Sequence, residues 1–393
     1  MRYIKPIRPV LLACLWMTTM AAWADNDKQN MFNPVQSSVT SLSIAPDARG
    51  GGLGDVGAAT DADVNSQFWN PAKYPFNIAR AGVAVSYTPW LRKIVNDINL
   101  ANLVGFYRIG DYSAVHGSLR FFSLGEVFLS DMEDMTINPY EMAVDVGYSR
   151  MLSERFSMAV NLRFIYSDIK YDYTAESSAG KAFAADIALY RLGYFMAGNR
   201  ECSFGWGLNI SNIGSKISFG GDDNSEFIPT NLRLGMNMTI PFNEYNKFSI
   251  STDINKLLVP TYPKLKEDEA DNDYEDRVQR EYYDISPIAG IFKSFHDAPN
   301  GFKEEMQEIQ WSAGCEYTYK DRFMMRAGYH HENANKGNRK YFTVGAGFHM
   351  SVFTVDAAYV FSTSQTNALD QTMRFTLGFD LDGMKDLFGR RRR

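Results

Sequence analysis

The chain has 393 residues, 14% of them aromatic, with 22 tyrosines, 27 phenylalanines, 30 glycines and a formal charge of −6. That acidity argues against nucleic acid as a partner, and a mean hydropathy of −0.29 excludes a bundle of membrane helices. A membrane barrel is not excluded, because its strands show only alternate residues to lipid and keep average hydropathy modest.

Residues 1–24 read as a secretory signal peptide. Arg2, Lys5 and Arg8 form a positive n-region, Val10 to Ala22 the apolar stretch, and Ala22-Trp23-Ala24 an A-x-A cleavage site before Asp25. Removing it takes away three positive charges and no negative ones, so the formal charge moves from −6 to about −9. Leu12-Ala13-Cys14 has the look of a lipoprotein processing site. Acylation there would leave almost no apolar core in front of the cysteine, against the roughly 7–15 residues that an h-region takes. Cys202 and Cys315 remain in the mature chain, too few for a disulfide scaffold and without a C-x-x-C metal spacing.

Residues 25–78 differ in character from the rest. The stretch from Gly50 to Thr60 is rich in glycine but lacks the Gly-Lys-Ser/Thr ending of a phosphate loop. It leads through Asp61, Asp63 and Asn65 into Phe68-Trp69-Asn70-Pro71-Ala72, where Asn-Pro marks a turn.

From residue 79 the chain alternates. In Phe156 to Tyr166 every even position is apolar and most odd ones are small or polar, and Cys202 to Ile210, Leu232 to Ile240 and Met373 to Phe379 repeat the pattern. After the signal peptide no 18 consecutive residues are apolar, so the spanning elements are strands, and in lipid strands must close on themselves. Counting candidates gives fifteen with Ile285 to Phe295 included, whereas bacterial barrels use even numbers. Ser153-Glu154-Arg155, Gly198-Asn199-Arg200, Asn243 to Asn246 and Lys320-Asp321-Arg322 read as short periplasmic turns, with longer extracellular segments between them. That phase holds if Leu257 to Glu308 is one long outer excursion, which leaves fourteen antiparallel strands over residues 79–382. Residues 383–393, ending in Arg390 to Arg393, then form a basic periplasmic tail, either a solvated end or a contact with anionic lipid or partner.

The same alternation turns Arg120, Arg163, Arg233, Arg326 and Arg374 inward, together with Asp145, Asp186, Asp253, Glu316 and Asp356. Balanced signs suit paired groups in a filled or plugged interior better than the one-sided ring of a selective pore. Cys202 and Cys315 fall on the lipid face as small apolar residues. Glu267 to Asp276 is an acidic run without the spacing of a calcium loop, and reads as a solvated loop. His116 with Ser118, and His330 with His331, are adjacent pairs and not a triad. No catalytic residue, metal site or cofactor is expected.

The glycine-rich stretch, the aspartates after it and Phe68-Trp69-Asn70-Pro71-Ala72 resemble the N-terminal hatch signature of FadL-like (OmpP1) outer-membrane proteins. There a segment ahead of the first strand enters the lumen of a fourteen-stranded barrel. Within that superfamily the chain resembles the PorV (LptO) family of type IX secretion proteins, over essentially the whole mature length. Segments supporting this include Ile288 to Phe295, Asp297 to Glu305, Arg326 to Tyr329, Lys336 to Arg339 and Tyr341 to Phe348.

The resemblance implies a non-enzymatic role in the cell outer membrane. The barrel would bind the C-terminal signal domain of secreted cargo at the translocon and pass it to the surface sortase complex, with outer-membrane lipid around it. Phe219 and Phe227 beside an acidic turn, and Phe292, Phe295 and Phe302 in the long excursion, are the candidate cargo anchors on the outer loops. They could equally pack into the barrel mouth. Two alternatives stand beside this reading: a FadL-like channel for hydrophobic molecules, which needs an apolar lumen, and a lipid A-modifying enzyme, which needs a nucleophile beside a base.

Overall fold

The structure is a computed structural model that describes residues 32–381, apart from 93–94, 96, 129–135, 170–177, 221–223, 267–268, 351 and 364–370. The proposed signal peptide and basic tail lie outside the described residues. Fourteen antiparallel strands form one closed barrel. They are β1 Ala81–Pro89, β2 Asn99–Ile109, β3 Ser113–Ser123, β4 Tyr140–Ser153, β5 Phe156–Asp168, β6 Gly180–Ala197 and β7 Arg200–Gly214 in the first half. The second half is β8 Asn231–Asn243, β9 Asn246–Leu257, β10 Gln310–Tyr319, β11 Phe323–His331, β12 Lys340–Met350, β13 Phe353–Ser362 and β14 Met373–Asp380. Each strand pairs with its sequence neighbour, and β1 closes the sheet on β14 in the register Gly82↔Asp380 to Tyr87↔Phe375. Closure leaves no unpaired edge, as a lipid environment demands.

The period-two reading decides which face is which. On β5, Ser157, Ala159, Asn161, Arg163 and Ile165 are buried inside, while Val160 and Leu162 are exposed outside. On β14, Arg374 and Thr376 point in, and Met373, Phe375, Leu377 and Phe379 point out. Phe183, Met236, Ile250, Phe342 and Phe361 continue the outer apolar surface. Exposed apolar area on this scale, running round a closed barrel, suits hydrocarbon and not water.

The connections at one end are tight turns, such as Ser153 to Phe156 and Asn243 to Asn246. At the other end they are long. The longest, residues 258–309, carries the helices Asp271–Val278, Pro287–Lys293 and Phe302–Gln307. The Ile285 to Phe295 segment, apolar enough to count as a strand candidate, is helical because Pro287 opens a first turn capped by Ser286 Oγ, which accepts from Ala289 N. The acidic run is not simply a solvated loop. Its part from Asp271 onward is a helix with Asp271 and Asp273 in the first turn, where negative charge suits the helix dipole, and Arg277 pairs with Glu269 at 2.6 Å.

Candidate functional site

Residues ahead of β1 fill the lumen, and the hatch motif explains how. Asp47 caps the short helix Ala48–Gly52, accepting from Gly50 N at 2.8 Å and from the Trp69 indole at 2.5 Å. Gly50 and Gly57 lie against opposite parts of that indole, so close that a Cβ on either would come within 2.2 Å of it. The glycine-rich stretch is therefore the backbone surface on which Trp69 packs. Asn70 donates to Ala58 O and Leu189 O and accepts from Ala72 N, tying the hatch to itself and to β6. Pro71 begins the tight turn Pro71–Phe76, and Ala72 O accepts from Ser157 on β5. Phe68 lies between the guanidinium groups of Arg120 and Arg233, each 4.9 Å from its ring centre.

The inward charges do two jobs, and Glu316 shares in both. Arg163 is held by Asp145 at 2.6 Å and Asp186 at 3.0 Å, and Arg326 by Glu316 and Asp356 at 2.5 Å each, as wall-to-wall pairs. The others serve the hatch. Arg374 binds Asp55 at 2.6 Å, and Tyr341 donates to the same carboxylate. Asp253 accepts from the successive amides of Gly57 and Ala58 at 2.8 and 2.9 Å. Arg120 donates to Ser41 O and Ile44 O, and Arg49 of the hatch reaches Glu316 at 3.2 Å. Wall glycines let the backbones meet: a Cβ at Gly328 would sit 2.1 Å from Leu53 C, and one at Gly207 2.0 Å from Ala58 O. This plug is joined to the wall by charge and by backbone contact.

A cavity of about 70 Å³ remains between hatch and upper wall, where Arg163, Asn212, Arg233, His330 and Arg339 share the lining with Leu42, Phe68 and Trp69. Ligand pockets are mostly apolar and occupy roughly 300–1,000 Å³. The space is small and charged by that standard. His116 and His330 are members of the same inward network. His116 Nδ1 meets Gln67 at 2.6 Å while Ser118 donates to Asp145, and His330 Nδ1 meets Ser312 at 2.9 Å and stacks on Tyr341. His331 stacks on Trp311. Cys315 lies on the outward phase of β10; Cys202 shares the outward phase of Phe204 but is buried.

Residues 258–309 and the 332–339 connection meet above the plug and form a cover there. Lys256, at the top of β9, contacts Glu305 at 3.1 Å and Glu308 at 2.6 Å, and Lys336, from the 332–339 connection, contacts Glu304 at 2.6 Å and Glu308 at 3.0 Å. Burial pushes the Glu304 carboxyl up, but Lys336, Asn33 and Asn300 outweigh it and hold the group below its usual value. The cluster went unrecognised in the sequence: Glu304, Glu305 and Glu308 have helical spacing, but nothing in it indicates the two distant lysines.

Of the five candidate anchors, Phe227 takes the packing alternative. It is 4% exposed, packed with Val259 and Tyr282 beneath the cover, with Lys216 Nζ 4.1 Å from its ring. Phe219 is only partly buried, against a cluster containing Leu42, Ile165 and Ile217, so it too serves packing. Both flank the Ile217↔Glu226 bridge that folds their loop back over the lumen. Phe292, Phe295 and Phe302 are exposed, at 70%, 48% and 78%; Ile288 shares the helix of Phe292, Met306 that of Phe302, and Phe295 lies just past the end of the first.

A closed fourteen-stranded barrel with an apolar girth, a fixed luminal hatch and a folded cover defines an outer-membrane protein of the hatch-plugged kind. Residues 26–264 match the family model described as Type IX secretion system protein PorV, well over half of the chain. The chain belongs to the PorV family. The matched region holds the hatch and β1 to β9; most of the cover and the last five strands lie beyond it. Comparison with curated protein sequences gives no match.

Solved structures similar to this chain include the Ralstonia pickettii toluene transporter TbuX, at 11% identity and a TM-score of 0.46, covering 87% of this chain and 99% of that one. The Pseudomonas putida toluene transporter TodX is 10% identical with a TM-score of 0.48, covering 86% and 97% respectively. A Pseudomonas aeruginosa FadL homologue is 11% identical with a TM-score of 0.41, covering 86% and 99%.

Proposed function

We propose that this outer-membrane component of the type IX secretion system receives secreted cargo through the C-terminal signal domain at the translocon and carries it to the surface sortase complex. The long-loop end faces outward in this reading, and the chemistry of release belongs to other proteins. One observation carries it: the cover is a folded, ion-paired platform that presents Ile288, Phe292, Phe295, Phe302 and Met306 to solvent above a closed lumen. Large apolar side chains on a rigid platform are what a partner interface uses as anchors, since binding then orders little further chain. The membership in a secretion family supplies the class of partner.

A photocrosslinking residue at Phe292 or Phe302 in cells tests this reading, with the same residue at exposed Tyr194 near the short turns as control. Crosslinks from the cover to secreted proteins sharing one C-terminal domain are expected. Cargo crosslinked equally well from Tyr194, or from neither end, would sink the idea. The hydrophobic-channel reading draws little support from a lumen pocket of about 70 Å³ in which arginines and amides share the lining with Leu42, Phe68 and Trp69.

A further inference from the structure

The chain enters the barrel from an unexpected side. Its earliest described residues belong to the long-loop mouth: Asn33 N donates to Asn335 O at 2.7 Å, Asn33 Nδ2 to Glu304 at 3.0 Å, and Lys264 to Phe32 O at 3.3 Å. Val35 packs with Phe227, Val259 and Tyr282, and Ser38 N donates to Phe227 O. Leu42 then meets Ala143, Ile165 and Ala182 in the upper lumen, and Gly57 and Ala58 meet Asp253 at mid-height. Tyr74 stacks on Phe106, and Arg108 reaches Asn77 O near the short turns. Ile78 is 99% exposed below, just before β1 begins at Ala81. The segment thus runs the length of the lumen, mouth to base.

We infer that Phe32 to Ser38 is a strap that lies at the long-loop mouth and latches the cover there. The buried carboxylate of Glu304 is the shared element, bound by Asn33 of the strap, Lys336 of one connection and the backbone and amide of Asn300 in the other. Three separate stretches of chain therefore close on one group, and the strap continues directly into the hatch. Cover and plug are mechanically one body. That the mouth faces outward rests on the orientation proposed above; that Phe32 and Asn33 share a side with the cover does not.

The test uses full-length protein in its native outer membrane, with a peptide epitope inserted immediately before Phe32, at Asn300 in the cover, or at Asn199 in a short turn. Antibody is applied to intact and then to permeabilised cells. Epitopes before Phe32 and at Asn300 are expected to be reached together in intact cells, and the one at Asn199 only after permeabilisation. Labelling before Phe32 and at Asn199 together, against Asn300, overturns the strap. If Asn300 and the N-terminal epitope are both hidden and Asn199 is reached, the strap stands and the outward orientation fails.

Should the insertion block assembly, Asn33→Ala provides the second arm. Loss of a hydrogen bond to a charged group is expected to speed proteolysis within residues 258–309 roughly tenfold or more in assembled protein. An unchanged cutting rate overturns the latch.

Discussion

Replacing Asp253 by alanine tests what holds the hatch in the lumen. The carboxylate accepts from two successive hatch amides, Gly57 N and Ala58 N, at 2.8 and 2.9 Å. Hydrogen bonds to a charged group contribute about 1.5–3 kcal/mol each, so losing both costs about 3–6 kcal/mol and leaves two buried amides unpaired. At about 1.4 kcal/mol per factor of ten, opening of that stretch becomes roughly a hundred- to ten-thousand-fold more frequent. Other anchors stay in place, Arg374 with Asp55 and Arg49 with Glu316 among them, so the effect is local.

Hydrogen exchange followed by mass spectrometry on protein in detergent or nanodiscs reads this directly. Peptides covering residues 53–60 are expected to lose protection by that factor while peptides from β8 and β9 keep theirs. Unchanged exchange at Gly57 and Ala58 would refute the assignment of Asp253 as the clamp. Equal loss across both strands would mean that the substitution damaged the wall and not the hatch.

Gly328→Val places side-chain atoms where Leu53 and Gly54 lie, and assembled protein should show raised ion conductance in planar bilayers; a fully assembled barrel that stays closed would mean the hatch yields without leaving. Acidification should loosen the cover, because Glu304 has a lowered pKa when folded, so its contribution is complete above the ordinary glutamate value of roughly 4.3 and is lost as pH falls through the folded value. Protease cutting within residues 258–309 should therefore rise only below that range, and a rise beginning near neutrality would contradict the assignment. Phe292→Asp combined with Phe302→Asp should reduce cargo capture about tenfold or more, as expected for anchor residues, while heat-shift mobility on gels stays that of a folded barrel.

The strands were legible because a period of two survives in any window: Phe156 to Tyr166 and Met373 to Phe379 announce both faces without knowledge of their neighbours. The number fourteen followed from the alternation of short and long connections. Phe68 to Ala72 could be recognised as a hatch motif, but the reason for Gly50 and Gly57 could not, since the indole they receive is brought there by folding. Pairing was the harder matter. Arg374 and Asp55 are 319 positions apart, and an inward arginine reads the same whether its partner is the opposite wall or the plug. Phe227 and Phe302 likewise look alike in a loop. One is buried because its loop folds back over the lumen, and the other is exposed because its helix presents it outward.

The most direct measurement is affinity isolation of a tagged copy from native outer membranes, with mass spectrometry of the proteins that accompany it. A cargo carrier should bring down secreted proteins sharing one C-terminal domain, together with a very large barrel or a surface protease, and should lose them when Phe292 and Phe302 are replaced. Recovery of lipid or a small hydrophobic ligand alone, with no protein partner, would contradict carriage and return the barrel to the class of uptake channels.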